Sequence, residues 1–336
     1  MSVLYVTQPG AEVRQRGARL RVEWQGQVLM ALPVREVERL VLLGPVQLSA
    51  AATRLLLRAG IPVLFCNVRG HCYGTLSVGY EDIELLLAQV ARYQDEAFRL
   101  RTAKAIVEAK IRHQQRLLRR HARNHPNPAL TQVADGLEFL IKGLPQCASV
   151  AEVMGAEGQA SALYFSVLGL CLRQEGVPFT GRNRHPPKDP VNATLSLGYM
   201  LVLSEVLSAL MAQGLHPGLG FLHEASRRRP ALALDLLEVA RQPIVDRLTL
   251  SLFNRGVLTP DDFQNHPDGA VRLREQSLKR YLQLYERAMT TPFRYSAAGP
   301  QPQQVGTFRD WLRQQAGGLK KAIKEGHAWT PIVLEL

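Results

Sequence analysis

The chain has 336 residues, enough for two domains at about 150 residues each, and each can bury a core of its own. Hydrophobic residues make up 46% and charged residues 21%, which excludes a disordered, collagen-like or low-complexity protein. Lys and Arg number 41 against 29 Asp and Glu, a formal charge of +12. The expected partner is therefore a polyanion, and nucleic acid is the commonest large one.

The first 85 or so residues read as strand-rich. Leu20–Trp24 alternates apolar and charged residues, the period-2 signature of a half-buried strand. Gln25-Gly26 is a turn before Val28–Leu32, so a hairpin is expected. Val37–Leu43, Ile61–Phe65 and Tyr73–Val78 are further short apolar runs. Between them Ser49 is placed to cap a helix running through Arg58 and stopped by Gly60. The module carries no Ser-His-Asp set, phosphate loop or acidic cluster, so a structural or interface role is expected.

From Leu85 to Arg123 there is neither Pro nor Gly, and apolar residues fall at helical spacing (Val90, Tyr93, Ala97, Leu100, Ala103, Val107, Ile111). Between Arg92 and Arg123 ten Lys/Arg face three acids. Two readings stand: the solvated face of a long helix, or a helix face neutralised by nucleic acid. Helical segments follow near 131–142, 147–174, 191–213, 230–254 and 270–288, with no strand-type alternation. The most apolar stretch, Leu195–Met211, is interrupted by Ser and Glu and reads as a buried helix rather than a membrane span. A flexible segment is expected near 297–304, then an amphipathic piece at Phe308–Lys324. The opening Met1–Gly10 lacks the basic start of a secretory signal, and the four cysteines lack paired Cys-x-x-Cys spacing, which argues against a zinc site. A cytoplasmic protein is expected.

The fold class is thus α+β: a small N-terminal, mostly antiparallel β domain (1–87), then a larger all-α catalytic domain (88–336).

Three places in the helical half carry groups suited to a hard cation. Glu157 lies among small residues (Gly155–Ala160), where another backbone or a ligand can come close. His223 follows a glycine-rich turn. Asp235 and Glu238 share one helical face at i,i+3 in the apolar run Ala231–Glu238, and acids amid so many leucines need a cation or base to satisfy them. Each also has a structural reading: a helix cap for Glu157, a hydrogen-bonded core histidine, and pairing of the two acids with Arg241 or Arg247. Together they make a mixed O/N donor set for Mg²⁺ or Mn²⁺. Removing a carboxylate is expected to relieve like-charge repulsion in the metal-free protein. Arg182, Arg184, His185 and Lys188 lie in one loop and Arg227, Arg228 and Arg229 in another, close in sequence to the acids. Cations for phosphate beside acids for a metal are what metal-dependent phosphoryl transfer on nucleic acid needs.

These residues resemble the CRISPR-associated integrase/endonuclease family of spacer acquisition over nearly the whole chain. Leu4–Gly10, Gly60–Phe65 and Gly70–Leu76 resemble its β domain. Glu157–Ala160, Gly181–Tyr199, Gly220–His223 and Leu234–Glu238, in that order and spacing, resemble its catalytic domain. The resemblance implies metal ligands at Glu157, His223 and Glu238 with Asp235 in support. It also implies homodimerisation through the β domain, and two such dimers clamping a dimer of the small second adaptation protein in a heterohexamer. That assembly would carry a short DNA duplex whose 3′-hydroxyls attack the repeat ends of a CRISPR array. The competing expectations are a stand-alone nuclease on branched DNA and a non-catalytic DNA-binding scaffold.

Overall fold

The computed structural model describes residues 2–68, 72–77, 82–184, 186–227, 229–296 and 303–335. The chain divides into two compact units, Met1–Glu81 and Asp82–Leu336.

In the first unit, β1 (Ser2–Val6), β2 (Glu12–Arg16), β3 (Arg19–Trp24), β4 (Gln27–Pro33), β5 (Val37–Leu43), β6 (Gln47–Leu48), β7 (Val63–Cys66) and β8 (Cys72–Leu76) form two four-stranded sheets of order β1-β5-β7-β8 and β4-β3-β2-β6. The expected hairpin is β3–β4, with Leu20 opposite Leu32. The helix α1 (Ala50–Arg58) begins where Ser49 Oγ accepts the Ala52 N–H at 3.2 Å, and Gly60 follows it at φ +66°. The pairing is mixed rather than mostly antiparallel: β1–β5, β5–β7 and β2–β6 are parallel. The crossover through α1 returns the chain in the direction of β5 and so sets β7 parallel to it. Leu4, Val13, Leu20, Leu40, Leu56 and Val63 meet in the core.

The second unit is built on helices α2 (Ile83–Gln94), α3 (Glu96–Asn124), α4 (Pro128–Gly143), α5 (Val150–Val167), α6 (Pro190–Ala212), α7 (Ala231–Ala240), α8 (Arg247–Asn254), α9 (Glu275–Thr290) and α10 (Phe308–Glu325), with a π-helical turn at Arg241–Asp246 between α7 and α8. It is not purely helical. The pairs β9 (Phe263–Asn265) with β10 (Val271–Leu273) and β11 (Phe293–Tyr295) with β12 (Gln304–Gly306) are antiparallel, and three-residue strands are too short to show a period of two. Most of the expected flexible segment lies outside the described residues, and Gln304 at its end already pairs with Tyr295.

The expected continuous helix over 85–123 breaks at Asp95. Its extended backbone ends α2, and its side chain accepts the Phe98 N–H at 3.0 Å to cap α3. Helix α3 is the centre of this unit: Phe98, Ala103, Ile106, Val107, Ile111 and Leu118 are wholly buried. Several of its cations are engaged by the protein's own groups. Lys104 Nζ donates to the Pro145 carbonyl at 2.8 Å, Arg112 pairs with Glu108, and Arg116 Nη1 donates to the Leu334 carbonyl at 2.7 Å. Helix α6 is long and apolar enough to cross a membrane, but 61% of that stretch is buried in the protein.

Candidate functional site

Helices α5, α7 and α3 bring the site together. Ser149 caps α5 by accepting the Glu152 N–H, and two turns further on α5 presents Glu157. Glu238 projects from α7 and is 6% exposed. Both carboxylates converge on one cation, Lys110 of α3. Its Nζ donates to Glu238 Oε2 at 2.6 Å and to Glu157 Oε1. The other Glu238 oxygen accepts from Arg241 Nε at 3.1 Å and Nη2 at 2.9 Å, and Ser161 Oγ donates to Glu157 Oε1 at 2.9 Å. Burial pushes the Glu238 carboxyl up, but Arg241 and Lys110 outweigh it and hold the group well below the ordinary carboxylate range.

The expected capping role for Glu157 is thus replaced by an ion pair, and the expected pairing of Glu238 with Arg241 is present. Because Lys110 and Arg241 neutralise the acids, removal of a carboxylate strands a buried cation. The expectation of relieved repulsion reverses.

His223 sits in the turn before α7. Its Nδ1 lies 2.8 Å from Asp235 Oδ1. The same carboxylate accepts three backbone N–H groups, from Phe221 at 2.6 Å, Leu222 at 3.0 Å and His223 at 2.9 Å. Asp235, fully buried, therefore folds the turn and orients the imidazole together. Among the described residues no group of three or more His, Cys, Asp or Glu stands close enough to hold a metal ion. The structure brings Glu157 and Glu238 to a common partner and His223 to Asp235.

Behind Glu238 lies a buried polar chain. Arg241 stacks over the Tyr199 ring at 4.4 Å, Tyr199 Oη donates to Asp246 Oδ1 at 2.6 Å, and Tyr164 Oη of α5 donates to Asp246 Oδ2 at 2.8 Å. Burial pushes the Asp246 carboxyl up to about 6. A cleft of about 320 Å³ borders the Glu157 helix, lined by Ser161, Phe165, Ser166, Gly181, Arg182 and Arg184.

Of the expected phosphate contacts, Arg184, Lys188, Arg227 and Arg229 are exposed. Arg182 is engaged internally: Nη1 donates to Asn192 Oδ1 at 2.8 Å and Nη2 to Ser196 Oγ at 3.0 Å. His185 and Arg228 lie outside the described residues. Lys110 is the residue of the candidate site that the sequence does not single out, because it stands within a run of cations. The available signal was its position, three and four residues from Val107 and Ile106 on the apolar face of α3.

Comparison with known proteins supplies the class. The chain is 37% identical over 331 residues to CRISPR-associated endonuclease Cas1 1 of Thermus thermophilus, covering 98% of this chain and 99% of the relative. It superposes with a TM-score of 0.81 and 25% identity on a chain of a Cas6-RT-Cas1–Cas2 complex, over 99% of its own length and 36% of that longer chain. A casposase bound to an integration product shares the fold at TM-score 0.83 and 21% identity, with 99% of this chain and 93% of that one covered. The chain is an enzyme of the CRISPR-associated endonuclease class. It belongs to the family described as CRISPR associated protein Cas1, whose model matches residues 4–287. A purely scaffolding role is thereby set aside.

Proposed function

We propose that this protein inserts short DNA duplexes into a CRISPR array, using a divalent ion held by Glu157, His223 and Glu238. The observation that carries the reading is the convergence of Glu157 and Glu238 on a single cationic position. An imidazole whose Nδ1 is taken by Asp235 adds support, since that bond leaves Nε2 as the ligand atom and fixes the ring. Carboxylates with one imidazole suit Mg²⁺ or Mn²⁺. When bound, such an ion supplies Lewis acidity to the phosphodiester and activates the attacking oxygen.

In the reaction a DNA 3′-hydroxyl forms a new P–O bond at a repeat end as the existing P–O3′ bond breaks. The number of phosphodiesters is unchanged and no energy input is needed. With water as the nucleophile the same site hydrolyses DNA. Exposed Arg184, Lys188, Arg227 and Arg229 are the groups that hold the strands by their phosphates, and the enzyme works on DNA in the cytoplasm. The first unit serves as a homodimer interface. Its edge strand β4, paired only with β3 among the described residues, leaves Val28, Leu29 and Met30 about half exposed. Two dimers with a dimer of the small second adaptation protein form the heterohexamer.

The test is strand transfer into a supercoiled array plasmid with a short duplex and Mg²⁺ or Mn²⁺, with and without the small partner. Glu157→Ala, His223→Ala and Glu238→Ala are each expected to abolish transfer and cleavage while duplex binding persists. Wild-type transfer by any one of them removes that residue from the site.

A further inference from the structure

Lys110 is 4% exposed and donates to carboxylates of two different helices, Glu157 on α5 and Glu238 on α7. Arg241 takes the remaining oxygen of Glu238. Two carboxylates thus face two cations, so the metal-free cluster is neutral. Without Lys110, Glu157 and Glu238 would face each other with only Arg241 and the Ser161 hydroxyl to offset them, an arrangement that burial penalises heavily. A divalent ion coordinated by the same two carboxylates cannot share Oε1 of Glu157 and Oε2 of Glu238 with an ammonium at hydrogen-bond distance, because two like charges would then meet in a poorly screened site.

We propose that Lys110 is a placeholder for the divalent ion: it holds Glu157 and Glu238 at their working separation in the metal-free enzyme and releases them when the ion binds. It is a positioning residue. Its ammonium keeps the helices α3, α5 and α7 locked before loading, and its displacement makes metal binding weaker than the bare carboxylates would allow. The proposal rests on the assignment of Glu157 and Glu238 as metal ligands. Unlike a residue that only supports the fold, a placeholder raises metal affinity when it is removed.

The experiment measures Mn²⁺ binding to the full-length protein by electron paramagnetic resonance, alongside thermal melting with EDTA. Lys110→Met is expected to melt lower than wild type in EDTA, to bind Mn²⁺ at least tenfold more tightly, and to gain more in melting temperature from Mn²⁺. Unchanged or weaker Mn²⁺ binding by folded Lys110→Met overturns the proposal. A second measurement needs no variant. Acylation of wild-type Lys110 by an amine-selective ester, read by mass spectrometry, is expected to rise on adding Mn²⁺ relative to EDTA, with Lys104 and Lys188 as internal references. Labelling that saturating Mn²⁺ leaves unchanged overturns the proposal even where Lys110→Met fails to fold. Glu157→Gln and Glu238→Gln separate the two levels. If either binds Mn²⁺ as wild type does, the ligand assignment fails. If both lose it while Lys110→Met does not gain, only the placeholder role fails.

Discussion

Asp235 Oδ1 lies 2.8 Å from His223 Nδ1 and 2.9 Å from the His223 backbone nitrogen, so one carboxylate sets both the ring and the chain that carries it. The residue expected from sequence to play a supporting role therefore has two tasks. Asp235→Ala leaves three backbone donors without their acceptor, each worth roughly 1–3 kcal/mol when buried. We expect a large loss of stability in urea denaturation together with loss of strand transfer. Asp235→Asn keeps the side-chain shape but only one acceptor oxygen, so its amide nitrogen faces at least one of these N–H groups; it should destabilise less than Asp235→Ala while weakening metal affinity about 10–100-fold. Wild-type Mn²⁺ affinity in Asp235→Asn would show that the imidazole is not oriented through this bond.

Gly220 is packed where no side chain fits. A Cβ there would lie 2.7 Å from the His223 carbonyl oxygen and 2.8 Å from the Ala231 carbonyl carbon, both of them backbone atoms that cannot rotate aside. Gly220→Ala must shift either the His223 turn or the start of α7. Strand transfer is expected to fall at least as far as in Asp235→Asn, with duplex binding retained. Full activity in Gly220→Ala would mean that the turn can move without cost to the site.

Duplex affinity should fall steeply between about 50 and 200 mM salt, as phosphate-dominated binding does. Replacing exposed Arg184, Lys188, Arg227 or Arg229 with Ala is expected to reduce the log–log slope by roughly 0.9 for each phosphate that is no longer neutralised. Arg182 should behave differently, since its guanidinium bonds Asn192 and Ser196 and lies 5.4 Å from the Tyr199 ring centre. Arg182→Ala should lower the melting temperature and leave the slope unchanged.

Burial, reinforced by Arg116, pushes the His113 imidazole down to about 3, and its Nε2 accepts the Leu334 N–H at 2.9 Å. Below the ordinary histidine value of about 6.5, the unfolded chain takes up a proton that the folded chain refuses. His113 therefore costs stability as pH falls from about 6.5 towards 3, by roughly 1.4 kcal/mol per unit. Asp246 acts in the opposite sense: its carboxyl is pushed up, so its stability contribution is lost as pH rises from about 4 to about 6. His113→Gln, which keeps an acceptor for Leu334, isolates the first effect. Its stability deficit against wild type should shrink steadily between pH 6.5 and 5, and a constant deficit would refute the assignment.

Much of this protein was legible in its residues. Ser49 and Gly60 bracket α1, Leu20–Trp24 alternates and pairs as β3, and the amphipathic run Phe308–Lys324 forms α10. Signals of this kind are local: a cap, a turn or a period needs only neighbours along the chain. The candidate ligands Glu157, His223 and Glu238 could be chosen because acids in apolar runs are conspicuous, and because their motifs keep the order of a known family. What no local pattern carries is which distant groups meet. The parallel pairing of β5 with β7 and the burial of α3 depend on elements remote in sequence. Above all, a lysine in a run of cations looks like surface charge until the fold places it. Lys110 became the counter-ion of two carboxylates, 47 and 128 residues away, because α3 is the helix the second unit packs around, and a buried charge must find its partner wherever the chain has brought one.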